Sequence, residues 1–360
     1  MFDQAIVVEE YDRDGALAAP LARLRAAHPI SRIVALAERD MVRAARMRAA
    51  LGIAGQAVDS ALHFTDKWVM KQRLRARGVT VAAGRPVETA DEVTAFAAIH
   101  GWPVVLKPLS GTGSFGVVLV SDPVAAARYL AEAKDLGARR ALAEALVQGR
   151  QYHVDGLVVE GRPVLTWPSA YLNSPLAHRQ GLPVGGVLLA PGAPFVPRLT
   201  AMVADVLRAL PTPSTFAFHA EIFRTPADEL VLGEIASRPG GLQISDMLSW
   251  AFGIDYRATV FRALSVDALQ APPAGPARLA GWLALPTCAG RVLAVASHCD
   301  LPFVVHYALA IAPGHVMSPP RHANDFAAGF VVTGGDEDAV EKNLRRAAAW
   351  FSENCRLEDA

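Results

Sequence analysis

The spacing of apolar positions changes along this chain, and each change marks an element. Residues 5–8 and 32–36 are short apolar runs that predict strands, while 16–27 and the arginine-studded 38–51 carry helical spacing, the latter stopped by Gly52. Strands alternating with helices predict a small parallel sheet. A further helix is expected from Thr65, read as its cap, to Gly78. Another runs from Thr89 to about His100, with Glu92 completing a capping box. Residues 103–108 predict a strand that carries Lys107 near its end, and 117–120 predict its partner. The glycine-rich run 110–116 between them is then a hairpin tip. A helix over 122–136 follows.

From 141 to 165 two strands are expected around Gly149 and Gly161, and 171–197 reads as a long Gly/Pro-rich loop with a strand at 187–189. A helix at 200–210 precedes two strands, 216–224 and 229–237, joined by a Pro-Ala-Asp turn. A helix starts near Ile244. Residues 271–276, APPAGP, are the clearest linker, and 277–360 read as strands closed by a helix over 336–355. No internal repeat is visible. The expected units are 1–64, 65–270 (a lid over 65–142 and a larger part over 143–270) and 277–360, in an α/β (α+β) fold.

Length supports this division, because 360 residues suggest two or three domains at roughly 100–200 residues each. An apolar share of 52% against 19% charged excludes global disorder. The 35 basic and 35 acidic residues balance to a net charge of +0, which lacks the surplus a sequence-independent nucleic-acid binder needs. The uncharged run 301–320 is interrupted by Pro302, Pro313, Pro319 and Pro320, so no membrane span is expected. The acidic start, MFDQAIVVEEYDRD, is unlike a secretory signal. Three scattered cysteines imply no disulfide framework and fit a reducing cytoplasm. Only five basic residues are lysine (Lys67, Lys71, Lys107, Lys134 and Lys342), so each lysine is informative.

Closely spaced glycines let a backbone approach phosphate oxygens. The run at 110–116 is followed by no Walker lysine and lacks the strand–glycines–helix order of a dinucleotide fingerprint. On its own it is a plain hairpin or a phosphate loop, and Lys107 on the preceding strand, otherwise a solvated lysine, favours the second. Glu221 and Glu234 lie in otherwise apolar strands joined by a short turn. They either face solvent singly or share a sheet face with a hard cation such as Mg²⁺ between them. Arg238, just before Pro239-Gly240-Gly241, is placed to stabilise a transferring phosphoryl group. The histidines around Cys299 (His298, His306, His315 and His322) match no standard zinc spacing, and Trp167 and Tyr171 read as packing under the long loop.

Taken in order, TDKWVMK, WPVVLKP, SGTGSFGV, AEALVQGRQYHVDG, HAEIF and GEIASRPGG resemble the ATP-grasp superfamily over roughly residues 30–265. The segments PTCAGRV and FVVTGGD are similar to the last domain of bacterial L-amino acid ligases. The resemblance implies an ATP-grasp fold with a short Rossmann-like N-terminal domain, one strand and helix shorter than the family's, and a small β-rich C-terminal domain. It implies an ADP-forming carboxylate–amine ligase that uses ATP and Mg²⁺, with Mn²⁺ as a substitute. Its partners would be a small-molecule carboxylate and amine, an amino acid or short peptide among them, and its assembly a homodimer.

By the same resemblance, Lys67 and Lys107 contact phosphates, and Ser110, Gly111, Gly113, Ser114 and Gly116 belong to the loop that closes over them. Glu144 and Leu146 form the adenine hinge, and Gln151 replaces the acid that usually meets the ribose. Glu221 and Glu234 hold the metal, and Arg238 joins Lys107 in catalysis. Asp155, His178, Arg179, Gly240 and Gly241 are expected near the substrate. Ala236 stands where many members carry a further Asn ligand. The alternatives are a bicarbonate- or formate-activating relative and a non-catalytic ATP-binding module.

Overall fold

The protein, a computed structural model, is described over residues 4–11, 15–136, 138–266 and 271–358. The expected unit ends at 1, 270 and 360, and part of the acidic start, lie outside them. Four strands, β1 (Gly84–Val87), β2 (Val104–Pro108), β3 (Val118–Val120) and β4 (Ala141–Ala145), form an antiparallel sheet in the order β1-β4-β2-β3. Helices Ala90–His100 and Pro123–Asp135 pack on it and bury Val93, Phe96 and Ala126 against Val104, Leu106 and Val120. Both start as their sequences dictate. Thr89 and Glu92 form the reciprocal capping box, and Asp122 caps a helix whose first turn holds Pro123.

The next strands are β5 (Arg150–Val159), β6 (Arg162–Tyr171), β7 (Val184–Leu188), β8 (Phe216–Arg224), β9 (Leu230–Ala236) and β10 (Leu279–Pro286). They are followed by β11 (Gly290–Val295), β12 (Val304–Leu309), β13 (Val316–Met317), β14 (Phe326–Gly334) and β15 (Cys355–Glu358). Eight of them make one antiparallel sheet in the order β12-β14-β10-β7-β6-β5-β8-β9, and β13-β11-β15 form a small third sheet. Helices Phe195–Ala209, Ile244–Phe252 and Tyr256–Ser265 share a core with β5, β6, β8 and β9. Helix Glu337–Asn354 builds a second core with β10, β12 and β14. The stretch beyond the linker thus has its own core, but its main strands continue the sheet of the middle region through the pairing of β10 with β7.

Several expectations change. Residues 5–8 and 32–36 are in no strand, so the parallel sheet of a Rossmann-like unit is absent among the described residues. A strand needs a pairing neighbour and a buried face; Val7 is 93% exposed, and residues 32–36 lie across from Arg48, which donates to Ile33 O. The N-terminal unit is instead helices Ala18–Ala27, Glu38–Leu51 and Val58–His63. Asp66, not Thr65, caps helix Lys67–Ala76, because its carboxylate reaches the N–H groups of Trp68 and Val69 while the Thr65 hydroxyl donates back to Ala61 O. Three strands occupy 141–171, one more than expected. The helix expected at 200 begins at Phe195, since Pro197 in its first turn forfeits only an N–H with no intrahelical acceptor. Within the long loop, a 3₁₀-helix (Pro175–Gln180) precedes β7. Among the described residues no helix is long and apolar enough to cross a membrane.

Candidate functional site

Helix Lys67–Ala76 carries Lys67 and Lys71 one turn apart, on the side facing β2 and β4. Its first N–H donates to Leu109 O, which ties the helix to the base of the glycine-rich loop. Glu144, on β4, sits between two lysines: Lys107 Nζ is 2.7 Å from Oε2 and Lys71 Nζ 2.9 Å from Oε1. Burial pushes the Glu144 carboxyl up, but the two ammoniums outweigh it and hold the group below its ordinary range. Lys71, fully buried with one anion beside it, does not recover its own desolvation, and its pKa is lowered. For Lys107 burial also acts downward, but Glu144 and Glu234 together outweigh it and raise the group.

Glu221 and Glu234 lie directly opposite each other on β8 and β9, with a bulge just beyond Glu221. Their shared face is the one expected of a paired metal site. Gln151 Nε2 donates to Glu221 Oε2 at 2.9 Å and Tyr171 OH to Oε1 at 3.3 Å, so that carboxylate has a fixed orientation. Lys67 Nζ lies 3.4 Å from Glu234 Oε2. Burial pushes the Glu234 carboxyl up, and the cations Lys67, Lys107 and Arg238 overcome it and bring the group down to about 2. Arg238 donates from Nε to Glu38 at 2.9 Å, from Nη1 to Pro239 O at 2.8 Å and from Nη2 to Thr112 Oγ1 at 3.0 Å. Glu38, the first residue of its helix, is buried beneath it. That burial raises its carboxyl despite the guanidinium.

The charged groups among these, Lys71 and Glu38 excepted, line one cavity of about 780 Å³ between the two larger sheets. Of the expected residues, Lys67, Lys107, Ser110, Gly111, Gly113, Ser114, Glu144, Leu146, Gln151, Glu221, Glu234, Arg238 and Gly241 line it. Five others do not. Gly116 supports the loop from behind, with a φ of +68° and a carbonyl that accepts from Tyr129 OH at 2.8 Å. Gly240 packs on Asp155, where a methyl group would lie 2.6 Å from Oδ1.

Asp155 is fully buried, its oxygens occupied by His153 Nδ1 at 2.6 Å and His219 Nδ1 at 2.9 Å. It is therefore closed to a substrate amine. Trp282 Nε1–H donates to His153 Nε2 at 3.3 Å, so His153 carries its proton on Nδ1 and donates it to Asp155. Burial alone would raise Asp155, yet the two histidines hold it far below the usual carboxylate range; Asp155 in turn overcomes the burial of His219 and raises it to about 9. The geometry of these three groups would suit a metal ion, but their hydrogen bonds to one another and to Trp282 already satisfy them. His178 turns inward on the 3₁₀-helix, with Nδ1 2.8 Å from Pro175 O, and Arg179 acts outside the cavity, on Tyr129 of the lid. A loop rich in Gly and Pro gives no period from which to read which side chains face in.

Lys71, Glu38, His219 and Asn324 are not among the residues the sequence assigns to the site, and Tyr171, expected to pack under the long loop, also donates to Glu221. The scarcity of lysine and the four-residue step from Lys67 pointed to Lys71. Nothing local marks Glu38, which meets Arg238 across 200 positions.

Comparison with known proteins agrees with this geometry. The family described as carbamoyl-phosphate synthase L chain, ATP binding domain, matches residues 66–152. The chain is 29% identical over 235 residues to an L-arginine-specific L-amino acid ligase of Bacillus subtilis, covering 63% of this chain and 55% of that protein. It is 28% identical over 225 residues to a D-alanine–D-alanine ligase of Streptomyces coelicolor, covering 58% and 57%. The chain thus spans little more than half the length of these relatives. Among solved structures, an L-amino acid ligase from Bacillus licheniformis superposes with a TM-score of 0.78 at 16% identity, over 99% of this chain and 88% of that one. A carboxyaminoimidazole ribonucleotide synthase from Aspergillus clavatus, solved with ATP, gives 0.68 at 16% identity over 88% and 80%.

Proposed function

We propose that this chain, whose residues 66–152 match an ATP-binding domain and whose fold is that of the L-amino acid ligase structure, is an ATP-grasp enzyme and an ATP-dependent carboxylate–amine ligase. One observation carries the reading. Two carboxylates in register, Glu221 and Glu234, face Lys67, Lys107 and Arg238 within a single cavity closed on one side by a glycine-rich loop. Among the described lining residues, four cations (Lys67, Lys107, Arg150, Arg238), with His219 raised to about 9, meet three acids (Glu144, Glu221, Glu234), a surplus too small to neutralise a polyphosphate. A polyphosphate therefore needs a hard cation to enter with it, and the two carboxylates offer the oxygen donors such an ion takes. Glu221 and Glu234 would hold Mg²⁺, or Mn²⁺ in its place, which when bound neutralises charge on the phosphates.

In the proposed reaction an oxygen of the acid substrate attacks the γ-phosphorus of ATP, the bond to ADP breaks, and an acyl-phosphate results. The amine then attacks the acyl carbon, inorganic phosphate leaves, and the amine gives up a proton. The chain's task is to place and neutralise. Lys67 and Lys107 are fixed points of positive charge for phosphate oxygens, with Lys107 oriented by Glu144. The Arg238 fork, set by Glu38, faces the transferring group. Gln151 and Tyr171 aim Glu221, and the 110–116 loop keeps water away. The hinge at Glu144–Leu146 would meet the adenine with its backbone, since the Glu144 carboxylate is held by lysines. Gly241 borders the substrate end.

The L-amino acid ligase names among the relatives support an amino acid as one partner. The reading places the enzyme in the cytoplasm, which suits its three unpaired cysteines, as a homodimer that size-exclusion chromatography with light scattering would test. The decisive assay is ADP release from Mg·ATP against amino acids, singly and in pairs, with bicarbonate as control. Release that needs two amino acids, with product mass equal to their sum less water, supports the ligase. Release driven by bicarbonate alone would transfer the protein to the carboxylating branch.

A further inference from the structure

Three consecutive residues of the glycine-rich loop are held from three parts of the chain. Gly111 O accepts from Lys67 Nζ at 2.9 Å, Thr112 Oγ1 accepts from Arg238 Nη2 at 3.0 Å, and Gly113 O accepts from the backbone N–H of Ala323 at 2.9 Å. The first two anchors are cations that the proposed reaction assigns to phosphate and acyl-phosphate oxygens. When substrates claim them, the third anchor is the one that remains. It comes from the turn at 321–325, between β13 and β14, far along the chain from the nucleotide-binding region. That turn is internally braced: Asp325 Oδ2 accepts from the N–H groups of Arg321 at 2.8 Å and His322 at 3.3 Å, and Asp325 N donates to His322 O at 3.0 Å.

Two side chains of the turn widen the contact. His322 meets Phe115 edge-on, with ring centroids 6.2 Å apart. Asn324 fills the space beside Gly113, where a methyl group would lie 3.0 Å from Nδ2, and reaches toward Gly241, where one would lie 4.0 Å from Oδ1. Asn324 and Ala323 also line the cavity. A side chain at position 113 would displace the amide, and at a φ of +65° it would be strained as well.

We propose that the 321–325 turn is the latch that holds the glycine-rich loop closed over bound substrates, with the Ala323 N–H and Asn324 as positioning groups. The inference rests on the ligase reading for its chemical consequence. An acyl-phosphate exposed by a loosened loop is attacked by water at the acyl carbon. The bond to phosphate oxygen then breaks, the free acid and inorganic phosphate are regenerated, and ADP forms without amide. The latch therefore sets how much ATP turnover is coupled to product.

The test uses Ala323→Pro, which removes the donor, and Asn324→Ala, which removes the side chain, in the full chain. Hydrogen–deuterium exchange of 110–116 is measured with Mg²⁺ and a non-hydrolysable ATP analogue, and the ratio of ADP to amide is measured in turnover. Loss of one backbone hydrogen bond should speed loop exchange in the bound state roughly fivefold, and Asn324→Ala should act in the same direction. Both variants should release more ADP per amide than the parent, a change that mere loss of stability would not produce. If Ala323→Pro does not fold, Asn324→Ala decides. Unchanged exchange and an unchanged ratio in the folded variants would overturn the latch. A parent enzyme that makes no amide would remove the ligase reading instead, while faster loop exchange in the variants would still uphold the contact.

Discussion

Neutralising Glu144 as Glu144→Gln should be the most damaging isosteric change in the lid. The carboxylate is 5% exposed and lies within 2.9 Å of two ammoniums, those of Lys71 and Lys107. Because the two nitrogens approach different oxygens of one carboxylate, they are within about 8 Å of each other. Without the negative charge they repel by about 2 kcal/mol at an effective dielectric near 20. The parent carries the same repulsion but offsets it with the carboxylate, so the cost of the substitution is the lost attraction, about 3–5 kcal/mol, the range for breaking a buried pair from one side. Lys71→Met is the contrasting change. It keeps the alkyl stem, removes a cation whose desolvation is not recovered, and leaves Lys107 on Glu144, so it should cost about 1 kcal/mol or less. In thermal unfolding at roughly 2–4 °C per kcal/mol, Glu144→Gln should lower Tm by about 6–20 °C and Lys71→Met by only a few degrees. A Lys71→Met variant as damaged as Glu144→Gln would refute the assignment of one shared anion between two lysines.

Other consequences follow from the same geometry. The Glu144 carboxyl lies below its ordinary 4.5 when folded, so its stabilising contribution is complete above that pH and is lost as pH falls through the folded value; the Tm advantage of the parent over Glu144→Gln should shrink in melts run below pH 4.5. Glu234→Gln should leave the circular dichroism spectrum intact while abolishing ADP release, and turnover retained in that variant would remove Glu234 from the metal site. Gly149→Ala, at the junction of lid and body, should cost at least about 3 kcal/mol, because φ is +145° and the new methyl would lie 2.0 Å from Arg224 O; a denaturant midpoint equal to the parent's would contradict this.

What could be read in advance was local. The capping box at Thr89 and Glu92, the left-handed stop at Gly52 and the hairpin around the glycine run are set by residues within a few positions of one another, and all three are present. At Glu221 and Glu234 only the two strands and their turn were legible: counting back from the turn pairs Glu221 with Gly233, and the bulge beyond Glu221 moves its partner to Glu234. Long-range pairing was not legible. Apolar runs at 5–8 and 32–36 look like strands, but strand formation depends on a neighbour that their own residues do not specify. The joining of β10 to β7, the seat of Glu38 under Arg238 and the approach of Asn324 to Gly113 all depend on residues about a hundred or more positions apart. Asp155 shows the opposite limit. Its family position suggested a group exposed to substrate, whereas His153, two residues away on the same face of β5, and His219, opposite it on β8, enclose it; the first contact is set by spacing and the second by sheet order.

The central claim is that an acid is activated by phosphoryl transfer to its own oxygen. It is tested most directly by supplying the carboxylate substrate labelled with ¹⁸O on both oxygens, together with Mg·ATP and the amine, and measuring the mass of the released phosphate. The account predicts one ¹⁸O in each phosphate that accompanies an amide bond. Amide formed with unlabelled phosphate would contradict it.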